Sequence, residues 1–535
     1  MRFVGSGEAS LVSWRELHDE ARAVGAELQA RGVAPGDHVA LLGTTSRALV
    51  TTIEACWLIG AASMVLPLPM RMASLEEFVS QTRARIRDGD AKLVLIDDQL
   101  VAFYESVDGD PPTHLLSSVQ PGPGRARSGA VQMPLPDPER LLILQYTSGS
   151  TSEPKGVMIP DRVFGANLDA ITTAAELDGD NEVIVSWLPL YHDMGLVGCL
   201  GTPLTTGVDL VQAAPQDFLA HPGHWMQWVS DYRGTVTAGP NFSWILVTRA
   251  LQRMSGLDLS SLRVALNGAE PIDPDGVEAF VREATRHGFR RGAEFTAFGM
   301  AEVAIGGTFP PLMRGMVCDA VDRAALEHEH VAKPADPHLA TSRRLPLLGH
   351  PVPGLEIRIC DPASGDPLPE RHVGELEIRG TSVTPGYYKR PDLAGSLFHD
   401  GWLRSGDLGY LLDGELVLCG RIKDVIIVGG RNVFPEDIER AVGGVAGVRA
   451  GNVIAFGMEG YKGKESVVVV AEVRTDGDGV EALRRAIHGR VLEVCGLPAR
   501  DVMCVQPGSL PKTSSGKLQR SLCRERYLNE QLVMA

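Results

Sequence analysis

Long hydrophobic runs are missing from this sequence. The longest, Ala55 to Leu68, is broken by Gly60 and Pro67 and is too short to cross a bilayer, so no integral membrane segment is expected. Met1-Arg2-Phe3-Val4 runs into Gly5 and Glu8 with no secretory hydrophobic region, and a cytoplasmic location is the expectation. Positive charge is scarce. The 51 Lys and Arg face 67 Asp and Glu, a formal charge of −16 that argues against nonspecific nucleic-acid binding. The 8 cysteines are scattered with no Cys-x-x-Cys spacing, which excludes a zinc ribbon and a disulfide framework and leaves buried thiols in a reducing compartment. No internal repeat is visible. What remains is an ordinary globular balance, 44% hydrophobic and 22% charged, in 535 residues. That length is too great for one core, so two or more domains are expected.

The opening third alternates helical and extended patterns. Ser13 is placed to cap an amphipathic stretch from Trp14 to Arg31, with Gly32 ending it. His38 to Leu42 reads as a strand, Leu49 to Leu58 as a helix and Lys92 to Ile96 as another buried strand. This rhythm implies a mostly parallel sheet with helices on its faces, an α/β fold. Residues Gln120 to Asp137, rich in Pro, Gly and Arg, form a linker. After it, the apolar strand Leu141-Leu142-Ile143-Leu144 leads into Gln145-Tyr146-Thr147-Ser148-Gly149-Ser150-Thr151-Ser152-Glu153-Pro154-Lys155-Gly156. Glycines that admit backbone N–H groups, several hydroxyls and one lysine suit a phosphate. The stretch is not a P-loop, because Pro154 stands before Lys155 and no Ser or Thr follows it. Composition alone fits a solvated turn as well.

The second reading comes from likeness. The stretch resembles the phosphate loop of the adenylate-forming superfamily of acyl- and aryl-CoA synthetases, adenylation domains and luciferases, and further motifs follow in the superfamily's order. Asn267-Gly268-Ala269-Glu270-Pro271 resembles the adenine-binding turn. Thr296-Ala297-Phe298-Gly299-Met300-Ala301-Glu302 resembles the segment where an aromatic ring covers adenine and a glutamate holds Mg²⁺. Phe298 stands where tyrosine is usual, and Ala301 replaces the hydroxyl residue of CoA synthetases. Ser405-Gly406-Asp407-Leu408-Gly409 is similar to the ribose motif, with a carboxylate able to accept from two vicinal hydroxyls. The segment Leu418 to Ile427 resembles the interdomain hinge, which implies that Arg421 contacts the nucleotide and that Lys423 is the pivot. Leu510 to Arg520 is similar to the catalytic-lysine loop, with Lys517 bridging the substrate carboxylate and the α-phosphate.

Ser186-Trp187-Leu188-Pro189-Leu190-Tyr191-His192-Asp193-Met194-Gly195 resembles the fatty acyl-AMP ligase branch, including actinobacterial members that load lipid chains for mycobactin-type siderophores. There the histidine gates the nucleotide and acyl pockets. Metal binding by the adjacent His192 and Asp193 is disfavoured, because neighbouring side chains do not readily converge on one ion. The turn Gly239-Pro240-Asn241-Phe242 offers no carboxylate for an ammonium, which argues against an amino-acid substrate. Phe242, Trp244 and Ile245 suit an apolar tunnel or plain core packing equally. An extra segment, about Val321 to Leu348, carries His328, His330 and His338 and reads as an insertion.

The resemblance implies a large multi-subdomain adenylation domain, residues 1–422, and a small mobile α+β domain, residues 423–535. It implies ATP and Mg²⁺ as cofactors, a fatty acid as substrate and the phosphopantetheine thiol of an acyl carrier protein as acceptor. Expected catalytic residues are Lys517, Glu302 and His192. The expected nucleotide set is Thr147, Ser148, Gly149, Ser150, Thr151, Lys155, Gly268, Ala269, Glu270, Phe298, Gly299, Met300, Asp407 and Arg421. Thr147 and Glu302 are the expected metal ligands, and Met194, Gly239, Phe242, Trp244 and Ile245 the expected acyl pocket. A fatty acyl-CoA ligase and a non-catalytic nucleotide and acyl-binding protein stay open as alternatives, as does the oligomeric state.

Overall fold

The computed structural model describes residues 1–5, 9–68, 75–104, 106–122, 130–147, 155–177, 179, 181–428, 431–459, 465–474, 478–513 and 516–535. Two sheets dominate the large N-terminal part. The first has six strands in the order Thr113–Leu115, Ala91–Ile96, His38–Leu42, Ala62–Val65, Leu141–Thr147 and Lys155–Pro160. All pair in parallel except the last, which returns antiparallel to Leu141–Thr147. His38–Leu42 is buried along its whole length, as a central parallel strand covered on both faces must be. The helix Trp14–Ala30 begins at a capping box in which Ser13 and Glu16 each accept from the other's backbone N–H.

The second sheet has seven strands, in the order Glu294–Thr296, Val264–Gly268, Val236–Pro240, Val183–Ser186, Asp209–Gln212, Arg2–Phe3 and Ser10–Leu11. It is parallel up to Arg2–Phe3, which runs alongside Asp209–Gln212 and folds back on Ser10–Leu11. One apolar core joins the two sheets, drawing on Leu17, Ile53, Trp225 and Phe280. A third, antiparallel sheet follows, built from Leu355–Cys360, Gly374–Gly380, Trp402–Leu412 and Glu415–Arg421.

The extra segment is a hairpin and not a loose loop. Cys318–Asp322 pairs antiparallel with Ser342–Pro346, and the helix Arg323–His328 lies between them. Val321, Leu326, Leu345 and Leu347 are buried against Tyr410, Val417 and Phe434, while His328, His330 and His338 are exposed. The smaller C-terminal part contains the sheet Val448–Glu459, Glu465–Val473 and Asp501–Val505, with helices Pro435–Gly443, Asp478–Cys495 and Arg520–Leu528. Ile438, Val453, Val469 and Ile487 form its own core.

Candidate active site

One cavity of about 1110 Å³ opens where the two parts of the chain meet, beside the carboxyl ends of Val236–Pro240 and Val264–Gly268. A crevice at the carboxyl ends of parallel strands is where open α/β sheets place their ligands. Close backbone packing shapes this wall. A side chain at Gly268 would stand 2.9 Å from the Ala297 carbonyl, and Ala269 turns through φ +71°. At Gly299 a Cβ would meet the Ile305 carbonyl at 2.0 Å, so only glycine fits. Phe298 and Met300 line the same wall.

Carboxylates and cations from both parts of the chain line the cavity. Glu302 sits in a one-turn helix, Ala301–Val303, and accepts from the Tyr387 hydroxyl at 2.7 Å. Burial pushes its carboxyl up, against the Tyr387 bond and the Arg421 charge. Asp407 and Arg421 face each other in antiparallel register, with Nε 3.0 Å from Oδ1. Burial pushes the Asp407 carboxyl up and Arg421 opposes the shift. Lys155 lies with Nζ 5.0 Å from the centre of the Tyr387 ring, so Tyr387 touches both a cation and the Glu302 carboxylate.

From the C-terminal part, Lys517 brings its Nζ within 3.4 Å of His192 Nε2. The other ring nitrogen of His192 lies 2.5 Å from Asp193 Oδ1. Burial lowers the Lys517 pKa, while the Asp193 and Glu270 charges resist. Glu270 lines the cavity as well and accepts from the Phe242 amide at 2.6 Å, at the start of the helix Asn241–Leu251. Gly516 packs on the Phe242 ring, where a Cβ would stand 3.1 Å away. Lys423 lines the cavity beside Arg421, and burial lowers its pKa.

Away from the charges the cavity turns apolar, bounded by Met194, Phe242, Ile245, Ile184, Val236 and Leu266. Gly239 and Trp244 are not on this wall, contrary to expectation. Trp244 donates from Nε1 to the Gly239 carbonyl at 3.0 Å and packs between Trp225 and Phe280, at centroid distances of 4.5 and 4.7 Å. A side chain at Gly239 would strike Ser243 and Trp225. Both belong to the aromatic core beneath the tunnel. Ser148, Gly149, Ser150 and Thr151 lie outside the described residues, as does the side chain of Thr147.

The family comparison fits this geometry. Residues 2–388 match the sequence pattern of the AMP-binding enzyme family, and residues 423–535 that of the Disco-interacting protein 2-like AMP domain. The chain belongs to the AMP-binding enzyme family. A Mycobacterium tuberculosis protein named only as a ligase is 38% identical, over 95% of this chain and 93% of its own. The medium-chain-fatty-acid–[acyl-carrier-protein] ligase JamA of Moorena producens is 33% identical, over 98% of this chain and 91% of its own. A solved structure from work on fatty acyl-adenylate ligases of E. coli and L. pneumophila superposes with a TM-score of 0.90 at 31% identity, covering 97% of this chain and 93% of that one. Enzymes of this adenylate-forming class use ATP, and the protein is one of them. Two residues of the site escaped the reading of the sequence. Tyr387 has a faint signal, an aromatic pair after Pro385-Gly386, and Asp193 beside His192 invites a metal or acid-base reading and no positioning role.

Proposed function

We propose that the protein is a fatty acyl-AMP ligase that passes its acyl group to the phosphopantetheine thiol of an acyl carrier protein. A carboxylate oxygen of the fatty acid attacks the α-phosphorus of ATP, and pyrophosphate leaves with the electrons of the broken P–O bond. Lys517 aligns the carboxylate with the α-phosphate, and its charge offsets the charge that builds there. Asp407 takes the ribose hydroxyls, Phe298 covers the adenine beside Gly268 and Ala269, and Arg421 reaches the phosphates. His192 stands between this pocket and the apolar tunnel.

The residues suit a magnesium ion. Glu302 is a buried carboxylate held above its ordinary range, the state a nearby cation relieves. Mg²⁺ is commonly held by one or two carboxylates together with substrate phosphates, which agrees with there being no cluster of three ligating side chains among the described residues. Glu302, with Thr147, would hold the ion, which would neutralise charge on the phosphates.

The observation that carries the reading is the meeting of Glu302, Asp407 and Lys517 around one cavity that continues between Met194, Phe242, Ile245, Ile184, Val236 and Leu266. The domain division falls at the short turn Ile422–Asp424, and rotation about Lys423 would present the adenylate to the carrier thiol. Seven of the eight cysteines are buried free thiols, which suits the cytoplasm. The test is incubation with ATP, Mg²⁺ and a panel of fatty acids, with CoA and a carrier protein as competing acceptors. Pyrophosphate release that depends on fatty acid, with acyl transfer to the carrier, is the expected result. Equal transfer to CoA would move the protein to the CoA-ligase branch.

A further inference from the structure

Lys517 does not enter the cavity alone. Its Nζ is 3.4 Å from His192 Nε2, and His192 Nδ1 is 2.5 Å from Asp193 Oδ1. The Met194 amide donates to the same Asp193 oxygen at 2.7 Å, which fixes the carboxylate at the mouth of the helix that follows. A ring nitrogen this close to a carboxylate oxygen must carry the proton, since two lone pairs would repel. Nδ1 therefore donates to Asp193, with the Met194 amide 3.4 Å from the same nitrogen, and Nε2 turns its lone pair to the Lys517 ammonium, which has only donors.

The geometry points to Asp193 as a positioning residue that acts through His192 to seat Lys517 for the adenylation step. This rests on the role given to Lys517 above, and it adds a residue that does not touch the reacting atoms. Asp193 is buried, so its charge acts at short range through little water. The other charged groups that bear on Lys517 are Glu270, Asp407 and Arg421, and the first two also favour the ammonium while Arg421 opposes it. None of these three holds the imidazole. Burial pushes the Asp193 carboxyl up, but His192, Lys517 and the Met194 amide together keep it below the ordinary range, so it stays charged at neutral pH.

Asparagine at position 193 can still accept from Nδ1 and from the Met194 amide, so Asp193→Asn removes the charge and keeps the tautomer. Pyrophosphate release from ATP and dodecanoate, followed between about pH 6 and pH 10, is expected to show a kcat lower by about tenfold at alkaline pH. The alkaline limb should move to lower pH, because a negative charge that favours the ammonium is gone. KM for ATP and dodecanoate should change less than kcat, since the charge acts on the lysine that aligns them. Transfer from supplied dodecanoyl-adenylate to a carrier protein should be unchanged.

Two further variants test the route. In a His192→Ala background, Asp193→Asn should cost less than it does in the wild type, because only the direct pull of the charge on Lys517 is left to lose. His192→Gln, whose amide can donate to Asp193 and accept from Lys517, should keep more adenylation than His192→Ala, and it carries the test if Asp193→Asn fails to fold. Superimposable pH profiles for wild type and Asp193→Asn would overturn the inference. So would equal losses in His192→Gln and His192→Ala, multiplicative losses in the double variant, or a parallel loss of acyl transfer. A wild type that releases no pyrophosphate with any fatty acid would instead sink the functional reading, and this inference with it.

Discussion

Lys517 enters the cavity on a turn closed by the Thr513 amide, which donates to the Lys517 carbonyl at 2.8 Å, so its backbone is held while the side chain reaches across to the large domain. Lys517→Ala should lower fatty-acid-dependent pyrophosphate release by at least a hundredfold, roughly the loss of one preorganised donor at a developing charge. Acyl transfer from supplied adenylate should survive. Loss of both half-reactions in a folded variant would show that the lysine serves the architecture and not the first step. Tyr387→Phe removes the hydroxyl that fixes Glu302. A Mg²⁺ titration of pyrophosphate release should then show a requirement raised about fivefold, the worth of one hydrogen bond to a charged group, and an unmoved titration would separate Tyr387 from the metal. Phe298, Glu302, Asp407 and Lys517 were legible because each lies inside a dense local pattern of residue types. Tyr387 was not, since its partner Glu302 is 85 positions away and only the fold joins them. Trp244 misled for a related reason: an aromatic side chain reads the same whether it lines a tunnel or fills the core beneath it.

The inserted hairpin is the element whose form was least visible in advance. Its leucines marked an apolar anchor, but nothing in the segment announced that it would grip the C-terminal part directly. Arg343 pairs with Asp437 at 3.0 Å and covers the Phe434 ring, and Glu327 pairs with Arg431 at 3.0 Å. Burial pushes the Glu327 carboxyl up to about 7, outweighing Arg431. A carboxyl whose folded pKa lies above its unfolded one binds its proton more tightly in the folded chain. Stability from this site is therefore greatest at acid pH and declines as pH rises between the ordinary value near 4.5 and about 7. Melting followed from about pH 5 to pH 8 should fall by roughly 2 °C more in the wild type than in Glu327→Gln. Identical pH dependence in the two would mean that the pair is not what titrates. The strand Leu141–Thr147 pairs antiparallel with Lys155–Pro160 where a P-loop strand would lead to a helix, in keeping with the exclusion of a P-loop by Pro154 before Lys155.

For the whole molecule, the hinge proposed at Lys423 lies in the single turn Ile422–Asp424. Lys423→Pro limits the backbone there. Pyrophosphate release should change by less than about threefold, while acyl transfer to the carrier protein falls more than about tenfold, as expected when one of two poses is withheld. Equal losses would argue against rotation at this residue. The mostly parallel architecture of the opening third was readable from its strand and helix periods. The split into two sheets was not, because parallel strands pair at distances along the chain that local pattern does not encode. That split has a consequence in time. The six-stranded sheet uses a continuous stretch from His38 to Pro160, but Arg2–Phe3 pairs with Asp209–Gln212, on the far side of it. At synthesis rates of about 5–20 residues per second, the hairpin begun by Arg2–Phe3 waits roughly ten to forty seconds for its partner strand. An entire neighbouring sheet can close in that interval. Arg2–Phe3 is thus locked in later than the sheet that follows it in the chain, and a chaperone that shields Leu11 and its neighbours would find its client in that window.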